Sequence, residues 1–101
     1  PLPAPYLFLF LFKEVYMFYP YITWGDGLQI AYSEVKRDGT VLVHFELPDE
    51  RLGFKFLECE LPTYRVVKNK GFSTNEVAQL IDFCRHHAHL MMTGARNGGE
   101  F

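Results

Sequence analysis

Two Asp-Gly pairs, Asp26-Gly27 in "WGDGL" and Asp38-Gly39 in "KRDGTV", each stand between short apolar runs. No other feature constrains the fold as strongly. A two-residue hairpin turn needs positive φ at its central positions, and Asp-Gly takes that conformation at little steric cost. A longer polar connection, "LPDERLG", follows with Pro48 and Gly53. Three successive hairpins predict an antiparallel meander of four strands, at residues 18–24, 28–35, 40–47 and 54–61.

Side-chain alternation assigns the faces. Ile30 and Tyr32 point inward, as do Val41, Val43, Phe45 and Leu47, then Leu57, Cys59 and Leu61. Ser33, His44, Glu46, Glu58 and Glu60 alternate outward, which predicts one wet face. Pro62 ends the sheet, and residues 63–70 read as an irregular or single-turn link closed by Gly71.

"GFSTNEV" then announces a helix. Ser73 is a good N-cap and Glu76 stands where a capping box wants its carboxylate. The helix is expected over residues 74–93, stopping at Gly94 before a polar, glycine-rich tail. Val77, Leu80, Ile81, Cys84, Ala88 and Met91 form the stripe that lies on the sheet. Phe83, His87 and Leu90 widen it along one flank, while Asp82, His86 and His89 face water. The expected fold is α+β: a four-stranded meander with one C-terminal helix on one face.

The opening, "PLPAPYLFLFLF", fits this plan poorly. Its apolar run is far shorter than the about 20 residues that span a bilayer, and it lacks the basic region and small cleavage residues of a secretory signal. "KEVYM" can be back-translated as AAG GAG GTN TAY ATG, a bacterial ribosome-binding site just before a start codon. Residues 1–16 are therefore expected to be a translated upstream leader, and residues 17–101 a single small domain. The Leu/Phe run has a composition that suits a strand all the same.

A net charge of -2 argues against a general nucleic-acid binder, which shows a basic surplus. Two cysteines, Cys59 and Cys84, are too few for a disulfide scaffold and read as reduced thiols in a cytoplasmic protein. Trp24, with Tyr19, Tyr21 and Tyr32, could stack bases, but alternate members of such a set belong in a core.

Three constellations carry potential chemistry. Asp82, His86 and His89 share a helix face at a spacing that could reach one metal, although no other element supplies a fourth ligand. Cys59, Cys84 and His87 lie toward the inward side, again without a fourth ligand. If the Asp38-Gly39 hairpin has two loop residues, Ser33 pairs with His44, and Glu58 falls beside His44. That Ser–His–Glu row would sit on an open sheet with no cradle of N–H donors for an oxyanion.

From Met17 onward, "YPYITWGDG", the strand phrase "VHFE", the "GFSTNE" helix start and "RHHAHL" followed by a glycine pair resemble a group of short bacterial or phage proteins of uncharacterised activity. The resemblance implies a β-meander followed by one helix and a start at Met17. It implies no functional residues.

The resulting expectation is a small, non-enzymatic interaction or regulatory protein without a cofactor or membrane segment. Phe83, His87 and Leu90 would form its contact surface, for a second copy or a partner protein, because they exceed the apolar arc that one sheet needs. The alternative is a metal-binding module or metal-dependent enzyme using the helix histidines.

Overall fold

The computed structural model describes residues 6–10 and 14–101, with side chains from residue 16 onward. The chain forms β1 (Tyr6–Phe10), β2 (Glu14–Trp24), β3 (Leu28–Ser33), β4 (Val41–Asp49), β5 (Gly53–Leu61), β6 (Arg65–Lys70) and α1 (Thr74–Arg96). The strands lie in sequence order in one sheet, every neighbouring pair antiparallel. The α+β meander with a C-terminal helix is therefore as expected, but the strand count is not. Five strands, not four, follow from Glu14 onward, and β1 adds a sixth ahead of them.

The missed strand is β6, read from the sequence as an irregular link. "RVVKNK" has no inward alternation, and its side chains are mostly exposed, so periodicity carries no signal there. Only backbone pairing with β5 makes it a strand. Arg65, Lys68 and Lys70 give this outer strand the cationic character that discourages edge-to-edge association. At the other end, β1 pairs with β2 from Tyr6↔Phe18 to Phe10↔Glu14. Part of the apolar opening thus takes the strand form its composition suits; residues 1–5 and 11–13 lie outside the described residues.

The helix lies on the face assigned to it. Ile30, Tyr32, Val41, Val43, Phe45, Leu57, Cys59 and Leu61 form one buried cluster with Leu80, Phe83, Cys84 and Met91, and Val77, Ile81 and Ala88 pack against it half-buried. Cys59 and Cys84 are both free and fully buried at the sheet–helix interface, and the Cys59 thiol donates to the Glu60 carbonyl at 3.8 Å. The neighbouring Cys84 thiol lowers the pKa of Cys59, while Cys59 and burial together push the Cys84 thiol up.

The capping box is complete: Ser73 Oγ accepts from Glu76 N at 3.2 Å and Glu76 Oε1 accepts from Ser73 N at 2.8 Å. Lys55 Nζ adds a contact of 3.3 Å to Glu76. Ser73→Ala should cost ~1 kcal/mol in urea unfolding, since the cap is exposed and one donor loses its partner.

The helix does not stop at Gly94. It continues to Arg96, and the chain then turns back, with Gly99 N donating to Gly94 O at 2.7 Å. Gly94 serves packing instead: a Cβ there would run into the Tyr32 hydroxyl and ring.

The second face of the sheet differs most from expectation. Ser33, His44, Glu58 and Glu60 are buried rather than wet, beside a second apolar cluster of Phe18, Ala31 and Leu42 with Tyr16 and Val67 at its margin. Glu60 meets Arg65 at 3.3 Å, Lys36 at 3.6 Å and the Thr63 hydroxyl at 3.1 Å. Burial pushes its carboxyl up, yet the Arg65 and Thr63 hydrogen bonds and the Lys36 charge together hold it below the ordinary carboxylate range. The Ser73 N–H and Lys55 likewise hold Glu76 down.

A carboxyl depressed in the native state makes the unfolded chain bind more protons between the two pKa values. Stability should therefore hold steady from neutral pH down to the ordinary carboxylate range, then fall as pH drops through the depressed native values. Thermal melts across that range check this. Glu60→Gln should flatten part of the acid slope and cost about 1–2 kcal/mol at neutral pH, less than a fully buried pair because Arg65 is largely exposed.

Candidate functional site

A concavity lies on the helix side of the sheet, between the β2–β3 hairpin and the first half of α1. It has a volume of about 480 Å³. Trp24 and Asp26 line it from the hairpin, Leu28 and Ile30 from β3, Leu47 from β4, and Gln79, Leu80, Asp82, Phe83, His86 and His87 from the helix.

A β-bulge builds the hairpin wall. The β2–β3 register runs Tyr19↔Tyr32 and Pro20↔Ala31, then slips so that Ile22 faces Ile30 and Trp24 faces Leu28. Without the slip, Tyr21 and Trp24 would lie on opposite faces; with it, both turn toward the helix. Pro20, which has no N–H to give, stands at the slip.

These rings order the site. The Phe83 and His87 rings stack at 4.0 Å with 14° between planes. Trp24 lies 5.5 Å from Phe83, and Tyr21 sits edge-on to both Phe83 and His87. Tyr21 Oη and His87 Nδ1 are 2.7 Å apart, and burial raises the Tyr21 phenol above its ordinary value, so it stays protonated. The floor is apolar: Ile30 is fully buried and Leu80 nearly so. Trp24 is 56% exposed at the lip.

The three flank residues separate. Phe83 is 7% exposed, enclosed by Tyr21, Trp24, Phe45 and His87. His87 is half-buried, and Leu90 is 46% exposed. Tyr64 packs at another margin of the core under Arg85, and Val67 belongs to the second face.

The metal candidates do not converge. Asp82 and His86 touch, with His86 Nδ1 3.6 Å from the carboxylate and 2.8 Å from the Asp82 carbonyl, and His89 is exposed nearby. The Cys59 thiol donates to the Glu60 carbonyl, Cys84 is fully buried, and His87 turns to Tyr21. Among the described residues, no group of three or more His, Cys, Asp or Glu side chains is placed to hold a metal ion.

The Ser–His–Glu row is half present. His44 pairs with Glu58, Nδ1 to Oε2 at 3.3 Å, and Glu46 lies 3.2 Å from Nε2. Ser33, however, stands away from it. The loop closes between Lys36 and Thr40 and holds Arg37, Asp38 and Gly39, with Gly39 at φ +85°. The longer loop puts Ala31 opposite His44. Ser33 Oγ instead accepts from Leu42 N at 2.9 Å and donates to the Glu34 carbonyl at 2.7 Å. Its hydroxyl is committed to the backbone and is not activated by His44.

Sequence reasoning missed Asp26, Gln79 and the hairpin wall as site residues. The available signal was Trp24 beside a turn, where a large ring has no strand continuing past it to cover it. No family model, curated protein or solved structure matches this chain. Among the described residues, no helix is long and apolar enough to cross a membrane.

Proposed function

We propose that this is a small non-enzymatic interaction protein, cytoplasmic and of bacterial or phage origin, whose contact surface is the cleft lined by Trp24, Phe83 and His87, with Leu90 beside it. The observation that carries this reading is an exposed Trp24 over an apolar-floored cleft. Tryptophan in such a setting supplies a large, rigid contact area at little entropic cost. Leu90 extends the apolar surface along the helix.

A photo-reactive amino acid in place of Leu90, in the native host, should give a discrete cross-linked adduct. The same group in place of Asn75, exposed at the helix start, should give none. No adduct at position 90, or equal adducts at both, would remove the reading. Light scattering on the purified protein distinguishes a second copy from a different partner.

A further inference from the structure

The cleft has a charge as well as a shape. Two carboxylates, Asp26 and Asp82, stand among its lining residues, and no lysine or arginine among the described residues lines it to offset them. His86 is tied to Asp82 chiefly through its carbonyl, at 2.8 Å, and the carboxylate itself remains largely exposed. The same cleft has an apolar floor of Leu28, Ile30, Leu47 and Leu80 and the accessible ring of Trp24.

An occupant that satisfies all three features has an aliphatic stem, a flat face and a positive charge. The stem covers the floor as long cationic side chains commonly do. The flat cation lies against Trp24, where the ring's negative face attracts it. Its outward N–H groups meet the carboxylates in charge-assisted hydrogen bonds. A guanidinium has this combination; an ammonium has the charge without the plane. Building on the interaction reading above, we propose that the cleft receives an arginine side chain of the partner protein.

The chain's one tryptophan is Trp24, so its fluorescence reports directly on the site. The probe is an end-capped glycine pentapeptide with arginine at its centre, set against the same peptide with citrulline, which keeps the shape and loses the charge. The arginine peptide should change Trp24 emission saturably and bind about tenfold tighter than the citrulline peptide, the difference shrinking as salt is added. Asp26→Asn combined with Asp82→Asn should erase that preference while leaving the thermal melt unchanged, since both residues are exposed. Trp24→Ala should abolish binding, read from the backbone amide shifts of residues 79–87.

Equal affinity for the two peptides overturns the proposal, as does an unchanged preference in the double asparagine variant. So does the absence of saturable binding at millimolar peptide. If any of these occurs while the position-90 adduct still forms, the arginine assignment fails alone. Loss of the adduct as well removes the contact surface itself.

Discussion

Phe45→Ala should lower stability by about 3–5 kcal/mol, the cost of removing a large ring from a site that cannot collapse. Phe45 is fully buried at the centre of the sheet, with Ile30 opposite it on β3 and Leu57 opposite it on β5. From the helix, Phe83 meets it edge-on at 5.9 Å, 82° between planes. Strands on both sides hold their spacing by ladder hydrogen bonds, so the void persists. Leu90→Ala, at a 46% exposed position, should cost well under 1 kcal/mol. Urea unfolding of the two variants tests this, and similar losses would place the core elsewhere. Phe83→Ser belongs with Phe45, because it puts a hydroxyl in the same enclosed cluster. It should unfold the protein rather than merely weaken an interaction.

Gly94→Ala should destabilise by about 1–3 kcal/mol, as overpacking does, although alanine is intrinsically the better helix former by roughly 1 kcal/mol. The obstruction is Tyr32: a Cβ at position 94 would meet its hydroxyl, with Cζ at 2.7 Å and Cε2 at 3.0 Å. Tyr32 is fully buried, with Tyr19 and Tyr21 against it, so the ring has nowhere to swing. Among the described residues its hydroxyl has no hydrogen-bond partner. Tyr32→Phe should therefore be neutral or stabilising, since it deletes an unpaired buried polar group. Combined with Gly94→Ala, it should recover part of the loss, the two changes being coupled through one contact. Thermal melts of the two single variants and the double variant measure that coupling. Strict additivity would show that helix and sheet separate freely at this point.

Gly94 also shows the limit of reading punctuation. Near the end of an apolar stripe, a glycine reads as a helix stop, and here the helix passes through it to Arg96. Whether a glycine ends a helix or lets a ring approach depends on Tyr32, some sixty residues away in the chain. The His44 row has the same character. Glu58 beside His44 was legible, because the strands flanking "LPDERLG" alternate cleanly. Ser33 beside His44 was not, because Asp38-Gly39 serves either a two-residue turn or a longer one. One choice moves the partner of Ser33 from His44 to Leu42.

The candidate site was legible only in parts. Phe83 and His87 stood out as apolar surplus on the helix, but nothing local said that Tyr21 and Trp24 would enclose them. Strict alternation would have sent those two rings to opposite faces, and the slip at Pro20 brings them together.

What the sequence by itself determined are the features encoded within a few neighbouring residues. They are the hairpins at Asp26-Gly27, Asp38-Gly39 and "LPDERLG", the capping box of Ser73 and Glu76, and the apolar stripe that seats α1 on the sheet. Steric preference, local hydrogen bonding and side-chain periodicity encode these within the local sequence. Only the tertiary structure decided that Arg65–Lys70 is a strand, that Ser33, His44, Glu58 and Glu60 are buried, and that a cleft opens beside Trp24. Each of those depends on which backbone groups find partners across the sheet, and on what lies over a side chain once they have.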